Sequence, residues 1–159
     1  MTIPRRSVLG ALAAMVLPAR ILLAQDAGVQ MVPAAGEGGR YWPRWRGPSG
    51  QGLVDGSGYP DKWSATENIQ WKTAVPGRGN SSPIVWRDRI FLTTAYDGGR
   101  RLSVLAFNRA NGAKVWEAFV PDRVGSLDGS THFKNGHASA TAATDGERVY
   151  ASLGGRSTF

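Results

Sequence analysis

From Ser82 to Val120 the chain runs in short apolar stretches broken by polar turns, the alternation of strands rather than the three-to-four spacing of a helix. Ser82–Trp86 and Arg89–Ala95 are predicted strands joined by Arg87-Asp88, a connection of hairpin length. In RIFLTTA, Ile90, Leu92 and Thr94 fall on one face and Phe91, Thr93 and Ala95 on the other. Near-continuous apolarity implies that both faces are covered. Asp97–Arg101 is a polar turn, and Leu102–Phe107 and Ala113–Val120 complete a four-stranded antiparallel unit. After a long connection, Pro121–Gly136, the segments His137–Ala143 and Glu147–Leu153 repeat the first two strands, with Ala142 equivalent to Ile84. Upstream, Asn68–Val75 alternates weakly and is read as an outer strand whose Trp71 stands where Trp116 stands in the full unit. Pro76-Gly77 then turns the chain. Helical periodicity is confined to the N-terminal apolar run, so the rest reads as all-β.

That apolar run changes the picture of the first residues. Arg5-Arg6 precede an apolar stretch, Val8–Ala19, too short to span a bilayer and suited to an export signal. The start IPRRSVL resembles a twin-arginine signal, with cleavage expected after Ala24. An N-terminal membrane anchor is the alternative. Residues 25–40 read as a flexible small-residue linker. Tyr41–Pro48, YWPRWRGP, reads as an extended aromatic leader lying on a folded surface, with Trp42 and Trp45 packed and Arg44 and Arg46 outside.

Charge and cysteine content narrow the partners. The 159-residue chain carries a formal +7, three charges of which (Arg5, Arg6 and Arg20) leave with the expected signal. The remaining Lys and Arg are dispersed, without the basic, aromatic-interleaved groove of a single-strand binder, so nucleic acid is not an expected partner. There is no cysteine, which excludes disulfides, thiolate metal sites, cysteine nucleophiles and a lipid-modified cysteine. Such a chain is also safe in an oxidising compartment.

Ala106–Trp116, AFNRANGAKVW, resembles the pattern Ala-x-Asp/Asn-x-x-Thr-Gly-x-x-x-Trp of PQQ-like (pyrroloquinoline quinone-type) β-propellers. Ala106, Asn108, Gly112 and Trp116 match; Asn111 stands where threonine is usual. Asn108 suits a bond to the turn backbone, Gly112 a positive φ, and Trp116 a stack on a neighbouring sheet. The resemblance spans residues 41 to 155 and includes WPRWRGP, ENIQWKTAVPGRGNSSPIVWRDRIFLT and HFKNGHASATAATDGERVYASLGG. It implies a partial β-propeller of four-stranded blades over 41–159, one full blade and parts of two others. Ala106, Asn108, Gly112, Trp116 and Trp71 would be its blade-docking residues. It also implies that further C-terminal blades are needed to close the ring.

Function is less legible. His132, Lys134, Asn135 and His137 lie in or beside the long connection, where polar, chargeable groups often serve binding. Two histidines with no third ligand nearby make a weak metal site, and the spacing favours a loop anchored by side-chain hydrogen bonds. Gly77–Ser81 lacks the Walker lysine and reads as a turn, with Arg78 at the mouth of a central channel. No catalytic residue and no metal ligand is singled out. The expected protein is a periplasmic or extracellular, non-catalytic binding or scaffold module with no membrane span once the signal is cut. The alternative is a PQQ-dependent alcohol or sugar dehydrogenase, for which the resemblance would imply PQQ and calcium. A third reading, a polysaccharide- or sulfate-binding surface on Arg44, Arg46 and Arg78, has least support.

Overall fold

The computed structural model describes residues 33–121, 134–153 and 157–158. The expected export signal, the first half of the linker (25–32) and His132 lie outside them. Strands β1 (Ile84–Trp86), β2 (Arg89–Tyr96), β3 (Arg101–Asn108) and β4 (Lys114–Phe119) form one antiparallel sheet in chain order. Two further ladders follow, β5 (Ala143–Thr144) with β6 (Val149–Tyr150) and β7 (Ser152–Leu153) with β8 (Ser157–Thr158). The described chain is all-β apart from two short 3-10 turns, Gly36–Arg40 and Asp97–Gly99. No helix among the described residues is long and apolar enough to cross a membrane.

The sheet forms where the alternation is strongest. Arg87 adopts a φ of 51°, the left-handed geometry a two-residue hairpin turn favours. β1 starts at Ile84 rather than Ser82. There the Ser81 hydroxyl accepts the Thr93 amide at 3.1 Å in place of a backbone partner, and Pro83 has no N–H to donate. The turn Asn108–Ala113 is closed by Gly112 N–H to Asn108 O at 2.8 Å. The Asn108 and Asn111 side chains accept the amides of Ala110 and Ala113 at 2.8 and 3.0 Å. Asn111 thus supplies a turn bond of its own, in place of the threonine of the pattern this segment resembles.

Cross-strand register places Ile84, Phe91, Ala95, Leu102 and Ala106 on one face. That face is buried against Ala138, Ala142, Ala151 and Leu153 of the second repeat. Four small or medium side chains let the backbones approach closely, and complete burial of Ile84 and Leu153 contributes about 1.5–3 kcal/mol each. Residues 71–77 lie against the other face: Thr94 donates to Pro76 O at 2.6 Å, and Thr73 donates to Gly112 O at 2.9 Å. Both faces of β2 and β3 are therefore lined, as the apolarity implies, whereas β4 exposes Val115, Trp116 and Phe119.

Several expectations need correction. Asn68–Val75 is not a strand. It is held by side chains, Trp71 and Thr73, to backbone carbonyls of the Arg109–Gly112 turn, and no described segment offers its backbone a ladder. The second repeat has much shorter strands than His137–Ala143 and Glu147–Leu153 predict. Asn80 N–H takes the Ala138 carbonyl, the Thr93 hydroxyl reaches those of Ala138 and Ala140, and Asp145 and Thr144 side chains saturate the turn that follows. The end of the expected linker is folded, with Glu37 gripping Arg87 through two 2.7 Å bonds. The leader is extended only around Trp42, which exchanges two backbone bonds with Val85 at 3.1 and 2.8 Å and so covers the β1 edge. Beyond Pro43 it turns. Arg44 folds inward onto the Gly47 and Pro48 carbonyls instead of facing outward, and Trp45 is 54% exposed beneath Arg46.

Candidate functional site

Loop Gly77–Asn80 is pinned to two places at once. Arg78 and Ala95 exchange backbone bonds of 2.8 Å in both directions, which fixes the loop to the end of β2. Asn80 donates its amide N–H to Ala138 O at 3.0 Å and its side-chain Nδ2 to Lys134 O at 3.2 Å. Gly79 passes between Thr93 O and Ala138 O so closely that a methyl group would lie 2.8 and 2.9 Å from them. The expected turn is thus a clasp between the first sheet and the second repeat.

The clasp forms one wall of a cleft of about 800 Å³. The turn after β2 forms a second wall and Lys134–His137 a third. Four of the five residues singled out as ligand- or channel-facing meet there: Arg78, Lys134, Asn135 and His137. His132 lies outside the described residues. The turn Asp97–Gly99 was legible only as polar, yet it shapes the cleft. Gly99 has a φ of 97°, and any side chain there would collide with the His137 ring. Glycine at this position is what lets the imidazole lie flat on the turn. Asp97 is the carboxylate of the cleft, and it is paired with Arg101 at 3.7 Å.

On the far side of β2, a polar network had no sequence signal. Tyr96 and Ser103 donate to Glu117 Oε1 at 2.6 and 2.8 Å, and Lys114 donates to Oε2 at 3.0 Å. Burial alone would raise the Glu117 carboxyl, but the bonds from Tyr96, Lys114 and Ser103 outweigh it and hold the group below the usual range. The Tyr96 phenol is correspondingly pushed up, first by burial and then by the carboxylate it bonds.

The residues named for docking are also placed. Trp71 donates from Nε1 to Arg109 O at 2.9 Å, and its ring lies where a Gly112 side chain would be. Ala106 is fully buried opposite Trp116 in the ladder. Trp116 tilts against Phe91 at 5.8 Å and is 38% exposed, in a groove of about 350 Å³ beside Glu147 and Val149. Trp86, expected beside a hairpin turn, is half-buried, packing on Tyr41 at 5.4 Å and against Gly146.

Among the described residues no three His, Asp or Glu side chains converge. Ca²⁺ takes six to eight oxygen ligands, usually with several carboxylates, and the cleft offers one carboxylate already paired with an arginine. The described residues do not fit such an ion. Nor does the structure gather Arg44 with Arg78, since Arg44 is committed to its own turn and Arg78 lines the cleft. No protein-family model, curated protein or solved structure matches the chain.

Proposed function

We propose that the chain forms blades of an exported PQQ-like β-propeller acting as a non-catalytic binding or scaffold module, with the Arg78–His137 cleft as its ligand surface. The observation that carries this reading is the cleft itself. Two segments separated by more than fifty residues are clasped together through Asn80, and they present cationic and amide side chains on pinned backbone. That architecture suits recognition by a rigid frame with variable loops. The meander β1–β4 and the seating of Trp71 on the Arg109–Gly112 turn support the propeller part. The start IPRRSVL supports export.

The test compares two readouts. A reporter carrying residues 1–40 should leave the cytoplasm, and replacing Arg5 and Arg6 by lysine should retain it. The protein incubated with PQQ and Ca²⁺ should reduce no dye with alcohols or sugars. Steady turnover would replace this reading with the dehydrogenase, and cytoplasmic retention of the unaltered reporter would remove the export half.

A further inference from the structure

We propose that the cleft binds a small organic oxyanion, a carboxylate or phosphate group, with Arg78 as its principal contact. The inference deepens the binding-module reading and rests on it. Arg78 differs from three other arginines of the sheet and its turns. Arg87, Arg89 and Arg101 are ion-paired with Glu37, Asp88 and Asp97. Arg78 is exposed at the cleft and its side chain has no partner among the described residues. Its backbone is locked to Ala95 by two hydrogen bonds, so the Cα is fixed while the planar fork of donors is open. A guanidinium in that state is matched to the paired oxygens of a carboxylate or phosphate.

The rest of the lining agrees. Lys134 and His137 stand on the wall formed by the second repeat, with Asn135 adding an amide donor. The opposing carboxylate, Asp97, is turned to Arg101, which leaves the cleft with cationic surplus. Of the five lining glycines, Gly98 has open space where a side chain would be, so an anion can approach the backbone of that turn closely. A volume of about 800 Å³ exceeds what a bare inorganic ion needs and leaves room for the organic body of a small metabolite-sized ligand.

The test is calorimetric titration of the full chain at about 20 mM ionic strength, with inorganic phosphate in one arm and citrate in the other. At least one probe should bind in the millimolar range or tighter, and the tighter arm tells phosphate from carboxylate. Arg78→Gln should weaken binding about tenfold and leave the thermal midpoint unchanged, because the side chain supports nothing. Arg78→Lys, which keeps the charge and loses the fork, should fall between. Asp97→Asn should tighten binding. Failure of both probes to bind below about 50 mM overturns the inference, as does an Arg78→Gln variant that binds like the parent. Anion binding alongside quinone-dependent turnover would remove only the non-catalytic reading. Absent turnover with absent anion binding would remove only this one.

Discussion

Replacing Gly112 by alanine should cost far more in the native chain than in a chain already lacking the Trp71 indole. Gly112 holds a φ of 70°, and an alanine there pays the left-handed penalty of about 1 kcal/mol whatever surrounds it. The rest depends mainly on Trp71, and to a smaller extent on the Thr73 hydroxyl, which the methyl group would also overlap in either background. The new methyl group would coincide with the six-membered ring of the indole, so the ring must leave. Its departure breaks the Nε1 bond to Arg109 O and disturbs the Thr73 bond to Gly112 O, both 2.9 Å and each worth about 1 kcal/mol net. A half-buried indole also forfeits part of the cost of a full Trp truncation, about 1–2 kcal/mol. Gly112→Ala is therefore expected to lose about 4 kcal/mol and Trp71→Ala about 3, with the double variant also near 4.

The coupling of about 3 kcal/mol is the diagnostic quantity, since it exists only if the two residues share one contact. Urea unfolding followed by far-ultraviolet circular dichroism gives all four free energies, and avoids the overlapping emission of six tryptophans. Trp71→Phe, which keeps a ring and deletes the donor, should lose about 1 kcal/mol. Additivity of the two single changes to within about 0.5 kcal/mol would refute the contact and with it the argument that residues 71–77 line the second face of the sheet.

Glu117→Ala should lose about 3 kcal/mol, because it strands the fully buried Ser103 hydroxyl and the Tyr96 phenol. Glu117→Gln keeps an acceptor for both and should lose about 1 kcal/mol; equal urea midpoints for the two variants would dissolve the network as drawn. Asp145 is held at about 2 against its ordinary 3.8, chiefly by the Arg148 amide, then by the Tyr150 hydroxyl and the Glu147 amide. Its folded-state value lies below the unfolded one. Its contribution is therefore complete above pH 3.8 and fades as pH falls toward 2, and the lowered Glu117 adds acid sensitivity of the same sign below 4.5. Urea midpoints measured down the acid range should fall less steeply in Asp145→Asn than in the parent. Thr93→Val removes the hydroxyl that reaches Ala138 O and Ala140 O at 3.4 and 3.3 Å. It should cost about 1 kcal/mol and speed hydrogen exchange at the Asn80 amide, whose acceptor is also Ala138 O; unchanged exchange would exclude Thr93 from the clasp.

The four strands of the sheet were legible because period-two apolarity and hairpin-length turns are local signals, and their ends shift by at most two residues. Asn68–Val75 misled for a physical reason: alternation shows which side chains face inward, not whether a neighbouring backbone exists to pair with. The cleft was legible as residues and not as a place. Arg78 and the group Lys134, Asn135 and His137 could each be singled out as polar loop positions. Their meeting depends on bonds such as Asn80 Nδ2 to Lys134 O, across fifty-four positions of sequence, which no spacing rule anticipates.

The hardest feature to foresee is a single bulge. Phe107 pairs with Lys114, but one step on, Ala106 pairs with Trp116 and Leu105 with Glu117, so the register slips between Ala106 and Phe107. Continued without the slip, the Phe107–Lys114 register would set Trp116 opposite Leu105 and Glu117 opposite Val104. A slip of one residue exchanges the faces of everything beyond it. Unslipped, the carboxylate would meet the alanine-lined core that packs on Val104, with no donor to satisfy it, and the indole would displace the partners of Tyr96 and Ser103. The observed bulge instead sets Trp116 against Phe91 and leaves Glu117 with three donors. The turn Asn108–Ala113, closed by Asn108, Asn111 and Gly112, therefore does more than reverse the chain: it fixes which of two adjacent residues faces the core and which the polar network.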